Sequence, residues 1–250
     1  MSYYKIYNND CMLQFEQFVK EGRKFDLILT DIPQELTRNK WDMSLDLDEM
    51  WNYLLQLRKD KTTPIILFSN QPYTSKLIMS NVKMFKYCKY WQKDRPSGFL
   101  NAKRQPLRDI EDIVVFYEKQ CYYNPIMIEG KPSHSIGKVK GETICKNNNN
   151  YGNFGRVERE GNLKYPRQLM IYNRPHPPKH PTEKPIELLK DLILTYSKEG
   201  DTVLDFTAGI MSTGVACLKT KRNFVGIELV TEYFEIGKKR LEETNDELLV

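Results

Sequence analysis

Asp31 stands where a side chain could do chemistry. The apolar run Phe25–Thr30 has the length of a buried strand, and it delivers Thr30-Asp31 and then Pro33 to its tip. A polar stretch with one tryptophan, Trp41, follows as far as Asp42. A carboxylate two residues before a φ-fixed proline at a strand tip reads as the rim of an active site. Near the other end of the chain, Val203 to Glu228 reads as strand, turn, helix and strand, with Gly209 in the turn and Glu228 at the tip of the second strand, 19 residues later. A carboxylate about 20 residues past a glycine turn is how α/β nucleotide folds hold ribose hydroxyls. Asp205, Gly209, Gly214 and Glu228 fall into place together, and the spacing fits a dinucleotide or S-adenosylmethionine equally.

The elements that must position these residues follow from periodicity. Tyr4 to Asn8 alternates as a strand, Met12 to Val19 reads as a short helix, and Pro64 to Ser69 and Asp112 to Tyr117 are further buried or β-branched strands. Leu45 to Leu57 has helical spacing, with Asp46, Asp48 and Glu49 early, where the helix dipole favours them. Ile186 to Tyr196 is an amphipathic helix with Pro185 at its start. Thr202 to Phe206 and Asn223 to Leu229 are strands, Ser212 is positioned to cap a helix through Lys219, and Thr231 to cap the last helix. Alternating strands and helices predict an α/β fold with a mostly parallel sheet. From Gln120 to Lys179 the pattern dissolves into Gly, Pro and Asn, including KNNNNYGN at Lys146 to Asn153. A loop-rich insertion of that length is functional or disordered.

Charge separates along the chain. The net charge is +5 over 250 residues. Lys83 to Asp109 carries eight Lys/Arg against two Asp, and Lys131 to His180 carries ten against three Glu, so the remainder is strongly acidic. Tyr87, Tyr90, Trp91, Phe99, Tyr151, Phe154 and Tyr165 interleave with the basic residues, as on a nucleic-acid surface. The five cysteines are scattered and never in C-x-x-C spacing, and there are only three histidines. That composition predicts reduced thiols, a cytoplasmic setting, and neither a disulfide frame nor a metal site. No apolar run approaches the roughly 18 residues of a membrane helix, and the opening Met1-Ser2-Tyr3-Tyr4 has no look of a signal peptide.

Three stretches carry a family resemblance. HPTEKPIELLKDLI, VLDFTAGIMSTGVAC and FVGIEL are similar to the cofactor half of amino-group DNA methyltransferases of the adenine-modifying type, above all the compact phage-borne, site-specific ones. LILTDIPQELTRNKWD resembles their catalytic motif, usually Asp-Pro-Pro-Tyr, and GFLNAKRQPLRDIEDIVVFYE the stretch that follows it. Catalytic motif first, basic recognition region next and cofactor glycine motif last is the order of one permuted class. The resemblance covers nearly all the chain outside Gln120 to Lys179. It implies a Rossmann-like seven-stranded methyltransferase sheet with a loop-rich basic recognition insertion: residues 1–119 the catalytic half, 120–179 the insertion, 180–250 the cofactor-binding half.

The same resemblance implies S-adenosylmethionine as cofactor and double-stranded DNA as partner, with a homodimer or pairing with an active relative as further possibilities, in a bacterial or phage-infected cytoplasm. Asp31 and the carbonyl of Ile32 would each accept a hydrogen of the target amine, Pro33 would stiffen the loop, and position 34 would carry the ring on which a flipped base stacks. Asp10, Thr182, Lys184, Asp205, Phe206, Gly209, Ser212, Thr213 and Glu228 would hold the cofactor, Asp10 at its adenine, Thr182 and Lys184 at its methionine end and Glu228 at its ribose. Asn101, Lys103, Arg104 and Arg108 would face DNA. A leading Asp rather than Ser favours adenine over the cytosine amine, and no Pro-Cys dipeptide supports methylation of a ring carbon.

Departures from the family's pattern fall in its functional motifs. Gln34 replaces the aromatic, Ile32 the first proline, and Ile110-Glu111 the usual His-Glu. Gly209-Ile210-Met211-Ser212-Thr213-Gly214 stands where Gly-Ser-Gly-Ser/Thr-Thr-Gly is usual. Ile210 and Met211 are expected to project into the space of the cofactor's methionine end. The departures predict an enzyme impaired at Gln34 and Ile210-Met211; the second reading is a catalytically silent relative that binds DNA or a partner protein. Methylation of RNA or of a small molecule fits the basic middle less well.

Overall fold

A computed structural model describes residues 2–34, 45–130, 162–177 and 183–248. Contacts divide the chain into a large unit, Met1–Asn124 with Arg167–Val250, and a small one, Pro125–Pro166. In the large unit, strands β1 (Tyr4–Asn8), β2 (Leu27–Asp31) and β3 (Ile65–Ser69) alternate with helices α1 (Cys11–Lys20) and α2 (Leu47–Leu57). Helix α3 (Tyr73–Ser80) then leads into a long hairpin, β4 (Phe85–Ser97) and β5 (Arg108–Phe116). The small unit contributes an antiparallel pair, β6 (Ile128–Glu129) and β7 (Leu163–Lys164). Back in the large unit follow β8 (Leu169–Ile171), α4 (Ile186–Tyr196), β9 (Thr202–Asp205), α5 (Ser212–Lys219), β10 (Asn223–Glu228) and α6 (Thr231–Glu247).

One eight-stranded sheet organises the large unit, in the order β1-β10-β9-β2-β3-β5-β4-β8. β5 runs antiparallel to both its neighbours, and the pairings from β1 to β3 are all parallel. The seven strands expected are joined at the edge by the short β8, paired parallel to β4 at Tyr90↔Leu169 to Gln92↔Ile171. β6, β7 and β8 all fall in the stretch whose sequence shows no regular pattern.

Side-chain alternation explains the layers. Leu27 and Leu29 of β2 enter one core, with Leu188, Leu192 and Ile193 of α4 and Val215 and Leu218 of α5. Ile28 enters the other, with Phe15 and Phe18 of α1 and Met50, Leu54 and Leu57 of α2. A strand buried on both faces must be apolar throughout, which is why the central strands read as continuous runs. Two capping expectations change. Met211, not Ser212, occupies the cap position of α5, with φ 60 and ψ 34. Val230, not Thr231, precedes α6, and the Thr231 hydroxyl instead donates to Asn8 Oδ1 at 2.8 Å.

Candidate active site

Asp31, Asp205 and Glu228 end three strands that run the same way, β2, β9 and β10, and Asp10 follows the end of β1. The carboxyl ends of such strands are where open α/β sheets bind ligands. Asp31 is tied down from several directions. Its backbone carbonyl accepts from Thr207 Oγ1 at 3.0 Å, and its Oδ2 accepts a short charge-assisted hydrogen bond from Lys184 Nζ. Lys184 also pairs with Glu111 Oε2 at 3.3 Å, and Glu111 Oε1 pairs closely with Lys93. The result is a chain of alternating charge, Asp31–Lys184–Glu111–Lys93, in which only Asp31 keeps a sizeable opening to solvent, 28% of its side chain. Lys184 Nζ lies 5.0 Å from the centroid of Phe68 as well.

Electrostatics rank the two carboxyls. Burial pushes Asp31 up, the charge of Lys184 pulls it back and Glu111 raises it again, so it settles above the usual carboxylate range. Burial also acts on Glu111, but Lys184 and Lys93 outweigh it and hold that group below its ordinary value. Burial disfavours the charge on Lys184, yet Asp31 and Glu111 together raise it and keep it an ammonium.

Gln34 proves to be a brace. Its side chain is 9% exposed, its Oε1 accepts from Asn70 N at 2.8 Å and its Nε2 donates to Phe68 O at 3.4 Å. It thereby ties the segment after β2 to the end of β3. Ile32 is buried beside it.

The turn after β9 overturns one expectation outright. Ile210 and Met211 do not project into a ligand space: Ile210 is buried and Met211 is 0% exposed, inside the core of α4, α5 and α6. Two glycines make room for it. A Cβ on Gly226 would lie 2.9 Å from Met211 Sδ, and a Cβ on Gly237 would overlap Met211 Cγ. Arg240 clamps the same turn, donating through Nη1 to Ile210 O at 2.8 Å and Ser212 Oγ at 3.1 Å, and through Nη2 to Glu183 Oε1 at 2.9 Å. The left-handed Met211 backbone costs about 1–2 kcal/mol relative to glycine, and this packing and clamping offset it.

The remaining candidates divide by location. Glu228 receives Gly209 N on Oε2 and Val230 N on Oε1, each at 2.7 Å, and burial raises its pKa against the pull of those N–H groups. A carboxylate oxygen has more than one lone-pair site, so both can still accept from a ligand. Asp10 caps α1, accepting from Met12 N at 2.8 Å and Leu13 N at 3.2 Å. Asp205 accepts from Thr30 Oγ1 at 2.6 Å and Thr207 N at 3.3 Å, with Thr213 also bonded to it, and burial lifts it to about 6. Phe206 is buried edge-on against Phe15, at 5.2 Å between centroids. Thr182 lies outside the described residues, as does most of Lys131 to Lys179. Asn101, Lys103, Arg104 and Arg108 sit exposed at the β4–β5 hairpin tip. Of the basic residues counted with them, Lys89 and Lys93 instead point inward, Lys89 to Asp191 at 3.8 Å and Lys93 to Glu111.

Sequence reasoning missed Lys93, Glu111 and Thr207 as members of the site. The one available signal was position 111, which keeps the acidic half of a His-Glu pair. A small electrophilic cofactor with a ribose fits what is present. A Cβ on Gly209 would meet nothing within 4 Å, so the turn faces open space there, with its N–H bonded to Glu228. Among the described residues no group of His, Cys, Asp or Glu could hold a metal, and no helix is long and apolar enough to cross a membrane.

Comparison with known proteins agrees with this geometry. The profile of the family described as DNA methylase matches residues 25–239. Type II methyltransferase M2.DpnII of Streptococcus pneumoniae is 47% identical over 68 residues, 27% of this chain and 25% of that protein. DNA adenine methyltransferase YhdJ of Escherichia coli (strain K12) is 48% identical over 63 residues, 25% of this chain and 21% of that protein. The matched stretch thus spans a quarter or less of those relatives. Among solved structures, the M1.HpyAVI–SAM complex superposes with a TM-score of 0.67 at 24% identity, covering 95% of this chain and 100% of that one. The cytosine-N4-specific PvuII DNA methyltransferase gives 0.62 at 15% identity, covering 98% and 91%.

Proposed function

This chain belongs to the DNA methylase family, and from that premise we propose that it transfers a methyl group from S-adenosylmethionine to an exocyclic amine in double-stranded DNA, adenine rather than cytosine. The observation that carries the reading is Asp31, paired with Lys184 and still partly open to solvent, on the same sheet edge as the open Gly209 turn and Glu228.

An exocyclic amine on adenine is a poor nucleophile because its lone pair is delocalised into the ring. Asp31 accepts one of its hydrogens and the Ile32 carbonyl the other, which localises the lone pair and aims it. Asp31 does so as a carboxylate, the form that burial disfavours and that the charge of Lys184 favours. Thr207, through the Asp31 carbonyl, fixes the strand end from which both acceptors project. S-adenosylmethionine would supply an electrophilic methyl group on its sulfonium. Glu228 accepts from its ribose hydroxyls, Asp10 lies toward its adenine, and Gly209 lets the backbone approach it. Asp205, Phe206, Ser212 and Thr213 shape the floor, and Thr182 and Lys184 border the methionine end. Asn101, Lys103, Arg104 and Arg108 meet DNA phosphates or bases, and residues 120–179 contribute to recognition of the target.

The adenine preference is supported by the Asp at position 31 and by the adenine-specific name of one relative. Gln34 supplies no ring, and a missing base-stacking contact corresponds to roughly 1–3 kcal/mol, which supports a slow enzyme rather than a silent one. The test is incubation of plasmid DNA with methyl-labelled S-adenosylmethionine, followed by mass spectrometry of the nucleosides. N6-methyladenine is expected. N4-methylcytosine would reassign the base, and cofactor and DNA binding without any methylated nucleoside would establish the silent reading.

A further inference from the structure

The β4–β5 hairpin displays two large apolar side chains to solvent at its tip. Phe99 is 80% exposed and Leu100 is 100% exposed. A large adjacent apolar pair that no described residue covers is informative in a way that a scattered exposed leucine is not. The pair is also held in shape. Gly98, at φ 85, turns the chain into a single 3-10 turn, Phe99–Asn101. Asn101 N donates to Gly98 O at 2.9 Å, Ala102 N to Phe99 O at 3.1 Å and Arg104 N to Asn101 O at 2.8 Å. The side chains are presented by a closed turn.

Position and charge say what it meets. The register Ser69↔Asp112 ends the pairing of β3 with β5, so Arg108 to Glu111 run on beyond the carboxyl end of β3, on the edge where Asp31 lies beside Phe68. Glu111 reaches Asp31 through Lys184, and Arg108, three residues further out, is about 10 Å along the strand at its usual rise per residue. Lys103, Arg104 and Arg108 follow the apolar pair along the same hairpin tip, all exposed, and no ion pair of theirs occurs among the described residues. Cations flanking a projecting apolar tip complement a duplex, whose phosphates border a stack of apolar faces.

We propose that Phe99 and Leu100 form an apolar wedge that enters the base stack of double-stranded DNA next to the nucleotide presented to Asp31, with Lys103, Arg104 and Arg108 on the neighbouring phosphates. The proposal deepens the DNA reading above and rests on it. Extruding a base leaves a gap in the stack and costs unstacking energy; Phe99 and Leu100 fill that gap, a role that suits a protein whose Gln34 offers no stacking ring.

Side chains inserted between base steps unwind the duplex, and this can be read without knowing the recognition sequence. Closed-circular plasmid is relaxed by a topoisomerase in the presence of the protein, and the topoisomers are resolved after protein removal. The wild type is expected to shift the linking number in proportion to protein bound. The Phe99→Ser/Leu100→Ser variant should lose the shift and bind plasmid roughly 10-fold more weakly, with an unchanged dependence on salt. Phe99→Tyr/Leu100→Met should keep the shift. Lys103→Ala/Arg104→Ala should instead lower the slope of log affinity against log salt by about 2. A serine variant that unwinds as well as the wild type, or a wild type that binds plasmid without shifting it, overturns the wedge while leaving the DNA reading intact. Absence of any plasmid binding by the wild type defeats the DNA reading itself. Size-exclusion chromatography covers the other occupant: a wild-type dimer that the serine variant converts to monomer would make the tip a self-association contact and overturn the proposal.

Discussion

The loop after β2, proposed to be catalytic, and the turn after β9, proposed to face the cofactor, both depart from the residues the resemblance leads one to expect, and the protein accommodates the two departures by different means. At Gln34 the substitute is polar and is absorbed by hydrogen bonds to the backbone of Phe68 and Asn70. At Met211 it is apolar and is absorbed by packing, in space left by Gly226 and Gly237 and under the clamp of Arg240. The difference bears on chemistry. A hydrogen-bonded glutamine occupies the surface from which a base-stacking ring would reach out. A methionine turned inward leaves the ligand side of its turn open. On the proposed reading the first departure bears on function, and the second bears on stability.

Removing Asp31 should give the largest effect and leave the scaffold alone. Asp31→Ala is expected to lower methyl transfer at least 1,000-fold, about 4 kcal/mol, with duplex binding within a factor of a few of the wild type. Single-turnover transfer beside filter binding measures both. Transfer within 10-fold of the wild type would remove Asp31 from the mechanism. The acid limb should mark the same group: because burial raises Asp31, transfer should fade on acidification at a pH above the ordinary carboxylate value of about 4.

Met211→Gly sharpens the other half of the comparison. Emptying a buried methionine site costs about 2–5 kcal/mol, and relief of the left-handed backbone returns only about 1–2. Packing therefore wins, and a net loss of about 1–3 kcal/mol is expected in denaturant unfolding. Gly237→Ala should destabilise on its own, because its Cβ would overlap Met211. The double variant should be more stable than the sum of the two losses, since removing the Met211 side chain clears the space the new Cβ would occupy and that Cβ fills part of the gap left behind. Strict additivity would show that Met211 and Gly237 are not coupled.

These two regions also mark how far sequence could be read. The buried strands were legible because a strand covered on both faces is apolar throughout, as in Leu27–Leu29 and Ile65–Phe68. β4 was not, because Lys86, Lys89 and Lys93 break its pattern. Two of these are inward-facing lysines whose partners, Asp191 and Glu111, are distant or unremarkable in the sequence. Asp31 was legible as a carboxylate at a strand tip, whereas its supports, Lys184 and Thr207, lie more than 150 positions away. Met211 misled for the same reason. Its local sequence shows a bulky residue in a glycine turn, and the glycines that make it tolerable are on β10 and α6. Pattern reads elements and local chemistry; compensation is a tertiary property.

Asp205 joins the two regions, accepting from Thr30 on the catalytic strand and Thr213 on the cofactor helix. Its folded value, raised to about 6 by burial against the pull of Thr213, Thr30 and Thr207 N, exceeds the unfolded value near 3.9. The folded state therefore binds the extra proton between those limits, and this group's contribution to stability rises as pH falls from about 7 to about 4. Asp205→Asn titrates nowhere in that range. The stability of the wild type relative to Asp205→Asn should accordingly increase on acidification, by an amount on the order of 2 kcal/mol. A constant difference across the window would mean that Asp205 titrates normally.

The smallest effect tests the Gln34 side of the comparison most directly. Sequence alone predicts that Gln34→Tyr restores a stacking platform and speeds transfer by the roughly 10- to 100-fold equivalent of one base stack. The structure predicts otherwise. The glutamine is almost fully covered, and its Oε1 is the acceptor for Asn70 N. A tyrosine ring cannot accept that hydrogen bond in the same place, so it must either leave the N–H without this partner or swing out of the pocket and leave the glutamine's volume empty. Either route costs about 1 kcal/mol of stability. Transfer should rise by no more than a few-fold, because the loop that aims Asp31 and the Ile32 carbonyl loses its tie to β3 as the ring is gained. Thermal unfolding together with single-turnover transfer decides the matter. A tyrosine variant at least 10-fold faster and no less stable would show that the brace is dispensable and that position 34 is limited only by its missing ring.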